Sequence, residues 1–301
     1  MAITPRALLL ACLLAPAAAT LAACPPAGQD RASLAALKAK AFQVDDDAAR
    51  QALALALVDC LADPDPSLRD GIAYESLAAW LRADALDRAT REQLLAVLLP
   101  RIDPAAADPD GFGAPFAALV MSELARTDRV SAWLTPAQRA SLVEASARYL
   151  EGVRDYRGFD DREGWRHGVA HGADLLMQLA LNPALDKRQL SRELEAVASQ
   201  VAPPGAPAYH HGEAERLSRP VLFVLQRGLH DEPEWSAWIT RITAPAPMKA
   251  WSEAYGSEAG LARRHNTRMF LLALYVGLRE SGSEPLQARV PAVVAGLRAV
   301  D

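Results

Sequence analysis

The chain has 301 residues, 51% of them hydrophobic and 23% charged, with 32 Lys and Arg against 37 Asp and Glu. A formal charge of −5, with Arg263-Arg264 as the densest basic pair, excludes the basic stripe that nucleic-acid binding needs to displace condensed counterions. Only 6% of residues are aromatic and β-branched residues are thin, which argues against a fold built on sheets.

At the N-terminus, Met1 to Arg6 followed by the apolar run Ala7 to Ala19 has the layout of a secretory signal. The run leads into Leu21-Ala22-Ala23-Cys24, which resembles the lipobox of bacterial lipoproteins, where the chain is cut before the cysteine and its sulfur carries lipid. Residues 1–23 are therefore read as a signal peptide, Cys24 as the lipidation site, and the protein as anchored to a membrane surface of the bacterial cell envelope. Ala17-Ala18-Ala19 offers a second cleavage position that would leave a periplasmic or secreted protein. Removal of Arg6 leaves 31 basic against 37 acidic residues, a net of −6.

Cys12 leaves with the signal and a lipidated Cys24 is capped, so Cys60 is the one remaining thiol. A Cys24 to Cys60 bridge would need a free Cys24 in an oxidising envelope, and Cys60 lies in the apolar series Leu53, Leu57, Leu61, which assigns it to the core. After the signal no apolar run reaches the 18 or so residues of a spanning helix. The longest, Met269 to Leu278, reads as a core segment.

Residues 24–44 read as a linker with a short helix, and 45–301 as a single all-helical domain. Start signals occur at Ser67 after Asp63-Pro64-Asp65-Pro66, at Thr90 with Gln93, at Thr135-Pro136 with Gln138, and at Asp186 with Gln189. Thr90 and Thr135 have the spacing of a capping box. Stops stand at Pro100, Asn182-Pro183 and Pro203-Pro204-Gly205. Helix starts fall near 45, 67, 90, 112, 135, 163, 186, 213, 234, 258 and 284, and two such steps make a pair of about 45 residues, the period of HEAT-type repeats. The expected fold is all-α, with antiparallel helix pairs stacked as a HEAT-like α-solenoid; an irregular helical bundle is the alternative. Its core is Leu53, Leu57, Leu77, Trp80, Leu81, Leu94, Leu98, Leu119, Leu142, Leu176, Leu194, Leu222, Leu225, Leu271 and Leu274. Long connections at Val201 to Gly212, which ends in Tyr209-His210-His211, and at Ala244 to Pro247 are where binding residues commonly sit.

One stretch of the expected helix from 163, Gly-Trp-Arg-His-Gly-Val-Ala-His-Gly-Ala-Asp over 164–174, concentrates side chains that can bond a ligand. At about 100° per residue, Trp165, Val169, Leu176 and Ala180 share one face and His167, His171, Asp174 and Gln178 the other. Imidazoles four apart with a carboxylate one turn on can clasp a transition metal such as zinc, although His-Glu-x-x-His is absent. The same stripe also suits a solvated helix face or a buried hydrogen-bond network.

Asp155-Tyr156-Arg157-Gly158-Phe159 followed by Gly164-Trp165, His167, Ala170-His171 and Ala173-Asp174-Leu175-Leu176 resembles the central signature of the family of unknown function DUF2785. Arg69-Asp70 with Tyr74 and Trp80, Gly113 to Leu119, Glu213 with Glu215-Arg216-Leu217, and Asn266 with Phe270-Leu271 and Leu274-Tyr275 resemble its other segments, so that the likeness runs over roughly residues 45 to 280. Arg166 stands where a small residue is usual, and Gly113-Ala114-Pro115 replaces an arginine and serine. The resemblance carries no activity. It groups the histidine stripe with Trp165, Glu213, Glu215, Arg216 and Asn266 as the polar elements of one groove. Two functions follow: a binding or structural module that presents this groove to an envelope peptide, glycan or protein, or a metal-dependent hydrolase with His167, His171 and Asp174 as ligands and Glu213 or Glu215 as general base. A phosphate-binding glycine loop and a Gly-x-Ser-x-Gly elbow are both absent.

Overall fold

A computed structural model describes residues 24–301; the expected signal peptide lies outside them. Helices in chain order are α1 (Arg31–Ala39), α2 (Asp47–Ala56), α3 (Pro66–Leu68), α4 (Glu75–Arg82), α5 (Arg88–Leu98), α6 (Gly113–Val130), α7 (Pro136–Gly152), α8 (Gly168–Ala180), α9 (Lys187–Val201), α10 (Glu213–Gln226), α11 (Glu232–Ile242), α12 (Glu258–Glu280), α13 (Glu284–Gln287) and α14 (Val290–Ala299). The fold is all-α and packs helix on helix. Alternate helices are neighbours: α4 packs on α6, α6 on α8, α8 on α10 and α10 on α12, while α7 packs on α9 behind them. Among the described residues no helix is long and apolar enough to cross a membrane.

Local chemistry accounts for the starts. Thr135 with Gln138 and Asp186 with Gln189 form full capping boxes, in which the cap oxygen satisfies an orphan amide and the third residue reaches back. The caps expected at Ser67 and Thr90 are instead Asp65 and Asp87, whose carboxylates accept from Ser67 N at 2.8 Å and Thr90 N at 2.7 Å. An aspartate in extended backbone just ahead competes successfully for the same amides.

The expected core is buried, with Leu53, Leu119 and Leu222 only partly so. Met269 to Leu278 is not core throughout. Phe270, Leu271, Leu274 and Leu278 are buried, whereas Met269, Leu272 and Val276 are exposed, the two faces of one amphipathic helix. The segment expected as a linker carries α1 and docks: Leu34 is fully buried, Phe42 is buried, and Trp80 Nε1 donates to Phe42 O at 2.8 Å.

The helix expected from 163 begins at Gly168. Ahead of it stands a two-stranded antiparallel hairpin, β1 (Phe159–Asp160) and β2 (Gly164–Trp165), which pairs Phe159 with Trp165. Asp160 Oδ1 accepts from Arg162 N and Glu163 N, both at 2.9 Å, and Gly164 supplies a φ of 73°. An aspartate-capped turn closed by a left-handed glycine is hairpin chemistry that outweighs the helical period here. The pairing continues through Arg166 N to Gly158 O at 2.9 Å and His167 N to Arg157 O at 3.1 Å.

Candidate functional site

A groove of about 590 Å³ crosses the layer formed by α4, α6, α8 and α10. α8 contributes His171, Asp174 and Gln178 from one face, spaced by one turn each, while Leu175, Leu176 and Leu179 of the same helix are buried. α6 contributes Phe116 and Glu123, and α10 contributes Arg216. Asp70 and Tyr74 come from a π-helical turn, Arg69–Tyr74, set between α3 and α4. Such a turn adds a residue to the helix and re-aims the side chains around it. Trp165 stands on β2, and His211 arrives on the connection between α9 and α10.

His167 is the N-cap residue of α8, held at φ 57°, ψ 40°. Left-handed backbone is costly for a residue with a Cβ and persists only where the surroundings enforce it. Here the amide donates to Arg157 O, and the carbonyl accepts from His171 N at 3.0 Å. The ring stacks on Trp165 at 4.7 Å and 20°, and meets His171 edge-on at 5.8 Å. His167 is only 7% exposed, lines the groove, and its Nε2 has no hydrogen-bond partner among the described residues. Burial, helped by the nearby Arg216 charge and His211, lowers its pKa to about 4, so the imidazole is neutral at pH 7. His171 is deeper. Burial takes it well below its ordinary value, with the neighbouring His167 and the Arg216 charge acting in the same sense, and its Nδ1 lies 3.2 Å from Pro115 O while the ring meets Phe116 edge-on.

The charged groups around the imidazoles are already paired. Arg216 grips Asp174 across α10 and α8, its Nε donating to Oδ1 at 2.7 Å. Arg82 grips Glu123 with Nε to Oε2 at 2.9 Å. Arg69, fully buried, pairs with Asp70 at 2.8 Å, lies 4.0 Å over the Phe112 ring, and donates to Glu163 O at 2.6 Å, which ties the π turn to the hairpin. Burial pushes the Asp70 carboxyl up against the pull of Arg69. The groove thus offers donors and acceptors of both signs while its charges cancel in pairs.

The structure brings His167, His171, Asp174, Trp165 and Arg216 together, but not on one helix: Trp165 and His167 precede α8. Among the described residues no group of three His, Cys, Asp or Glu side chains is arranged to hold a metal ion, so the set His167, His171 and Asp174 expected for zinc is not assembled, and Asp174 is held by Arg216. Glu213 is buried at the start of α10, where its Oε2 accepts from His211 N at 2.9 Å and so positions the loop. Glu215 is exposed and pairs with Arg219 on its own helix. Asn266 is 1% exposed and braces the same connection, accepting from Tyr209 N at 2.7 Å and donating to Pro207 O at 2.9 Å. It lies behind the loop that delivers His211, not in the groove. Arg166 is buried, also lies 4.0 Å from the Phe112 ring centroid, and pairs with Glu163, so the departure from the family pattern has its own partners.

Glu123, Arg82 and His211 also line the groove, beyond the residues that the sequence assigns to it. Glu123 and Arg82 sit on helices with ordinary charge patterns and meet only in three dimensions. His211 carried a signal in its loop, and Gly158 is its counterpart: a Cβ there would lie 2.2 Å from His211 Nδ1.

Comparison with known proteins places these residues. The profile of a family described as a protein of unknown function, DUF2785, matches residues 98–276, more than half of the chain. The match takes in α6 to α11 and most of α12, and it leaves out the π turn and α4. No curated protein and no solved structure matches.

Proposed function

Since this chain belongs to DUF2785, a family of unknown function, we propose from the geometry that it is a non-enzymatic binding module whose groove takes an uncharged, hydroxyl-rich ligand, a glycan segment. The observation that carries this reading is His167, a residue that lines the groove from a strained backbone and whose buried Nε2 has no hydrogen-bond partner among the described residues, so that a small turn of the ring would offer it to a ligand. A buried polar atom left unpaired costs free energy that a ligand hydrogen bond restores.

The neighbouring ion pairs favour a neutral ligand. Arg216 with Asp174, Arg82 with Glu123 and Arg69 with Asp70 are each internally compensated, so a strongly charged ligand would have to break a pair to find its counter-charge. Hydroxyl groups donate and accept at once and can bond the remaining lone pairs without breaking any. Trp165, 37% exposed at the rim, supplies the apolar aromatic surface that the C–H faces of sugar rings pack against.

Isothermal titration calorimetry with chitotetraose, maltotetraose and trialanine tests this reading. Saturable binding of a saccharide is expected, weakened at least tenfold by His167→Ala and by Trp165→Ala. Binding of trialanine alone, saccharide binding that His167→Ala leaves intact, or no saccharide binding at all would overturn it.

A further inference from the structure

Cys24 and Cys60 form a disulfide with their Cα atoms 5.1 Å apart, 36 residues apart in sequence. Cys60 is fully buried, while Cys24 is half-buried and packs against the hydrophobic core. The Leu21-Ala22-Ala23-Cys24 string assigns the same Cys24 sulfur to a thioether lipid. One sulfur cannot be in both bonds.

We propose that Cys24 is the structural disulfide partner of Cys60 in an exported protein and is not a lipid attachment site. This inference is independent of the groove. Two observations carry it. The first is the bond and its placement: a diacylglyceryl group on Cys24 Sγ would have to enter packed side chains or pull the residue off the core. The second is the docking of the segment that follows. α1 buries Leu34, Arg31 pairs with Asp65, Lys38 pairs with Glu75 at 2.9 Å, and Phe42 receives the Trp80 indole N–H. A lipid on Cys24 would have to reach a membrane from a segment that is fastened to the body at two places, by the disulfide and by α1.

Such a bond persists in oxidising compartments, which places the folded chain in the envelope or outside the cell. Its formation balances by exchange with a disulfide donor of that compartment. One cysteine thiolate attacks the donor and releases one donor thiolate; the second cysteine thiolate then attacks the mixed disulfide and releases the other, so that the donor takes up two electrons and, with them, the two protons. Because Cys60 is inaccessible in the folded protein, the exchange precedes the closing of the core.

The test uses the full chain, residues 1–301, expressed in a bacterium with an oxidising envelope and alkylated before and after reduction. Peptide mass spectrometry is expected to find the tryptic peptide 51–69 linked to the peptide that contains Cys24, with both cysteines alkylated only after reduction. Cys60→Ser is expected to lower the melting temperature and to leave the protein's partition into the aqueous phase of a detergent extraction unchanged. A diacylglyceryl mass on Cys24, or free thiols at both positions before reduction, would overturn the proposal, as would a Cys60→Ser protein that melts at the wild-type temperature.

Discussion

At the scale of single residues, the groove is organised by two neutral imidazoles kept from protonation by burial. The folded pKa of His167, about 4, lies below its ordinary value of 6.5. As pH falls from 6.5 towards 4 the unfolded chain therefore binds a proton that the native chain refuses, and stability is lost at up to about 1.4 kcal/mol per pH unit. His171 contributes in the same direction. Glu193, fully buried and with both carboxylate oxygens unpartnered among the described residues, acts oppositely: its pKa is raised by burial, so its contribution is full at low pH and is lost as pH rises. Because the two effects overlap, the wild-type curve alone does not separate them, and the comparison must be made by substitution. His167→Gln should gain stability relative to wild type as the pH of a urea titration falls from 7 to 4.5, and Glu193→Gln should gain relative to wild type as pH rises from 5 to 8. A His167→Gln difference that is the same at both ends of its range would mean that the ring titrates normally.

At the scale of elements, two of the helices that build the groove, α6 and α8, are tied at their ends to α7 by one carboxylate. Asp128, 2% exposed near the end of α6, accepts from Trp133 N at 3.0 Å and Leu134 N at 2.8 Å, from Arg139 Nε of α7 at 2.8 Å, and from Asn182 Nδ2 beyond α8 at 2.8 Å. Burial works to raise its pKa, but Arg139 and the Leu134 and Trp133 amides hold it below the usual carboxylate range. Asp128→Ala strands Arg139, itself only 7% exposed, and should cost about 3 to 5 kcal/mol, the penalty for a buried charge left without its partner. Thr135→Ala removes one oxygen of the adjoining capping box and should cost about 1 kcal/mol. Chemical denaturation of both variants checks the ranking; equal losses would mean that Asp128 is one cap among many and not the joint between α6, α7 and α8.

At the scale of the whole molecule, the spacing of caps and breakers made the helices legible, because each start depends on a few local hydrogen bonds. The all-α class, the starts of α6, α7, α9 and α10, and most of the core follow from that spacing. The largest displacement of an expected start, 163 for 168, lies where a hairpin turn and a helix compete over the same residues and local turn chemistry prevails. The site was legible in part. His171 and Asp174 were readable from helical spacing, and Arg216 from family resemblance, but which of the polar residues meet depends on tertiary packing. Asn266 braces a loop, Glu215 faces solvent, and Glu123, Arg82 and Asp70 reach the groove from helices distant in sequence. The docking of residues 24–44 was hidden because a short helix with one buried leucine carries little periodic signal. The central claim is that the groove receives a ligand hydrogen bond at His167, and imidazole ¹⁵N shifts recorded at pH 7 during titration with chitotetraose and maltotetraose test it most directly. The account predicts that a saccharide moves the His167 Nε2 resonance in a saturable way while His171 Nδ1, engaged with Pro115, stays within its line width. A His167 resonance that remains fixed while any saccharide binds elsewhere on the protein would contradict it.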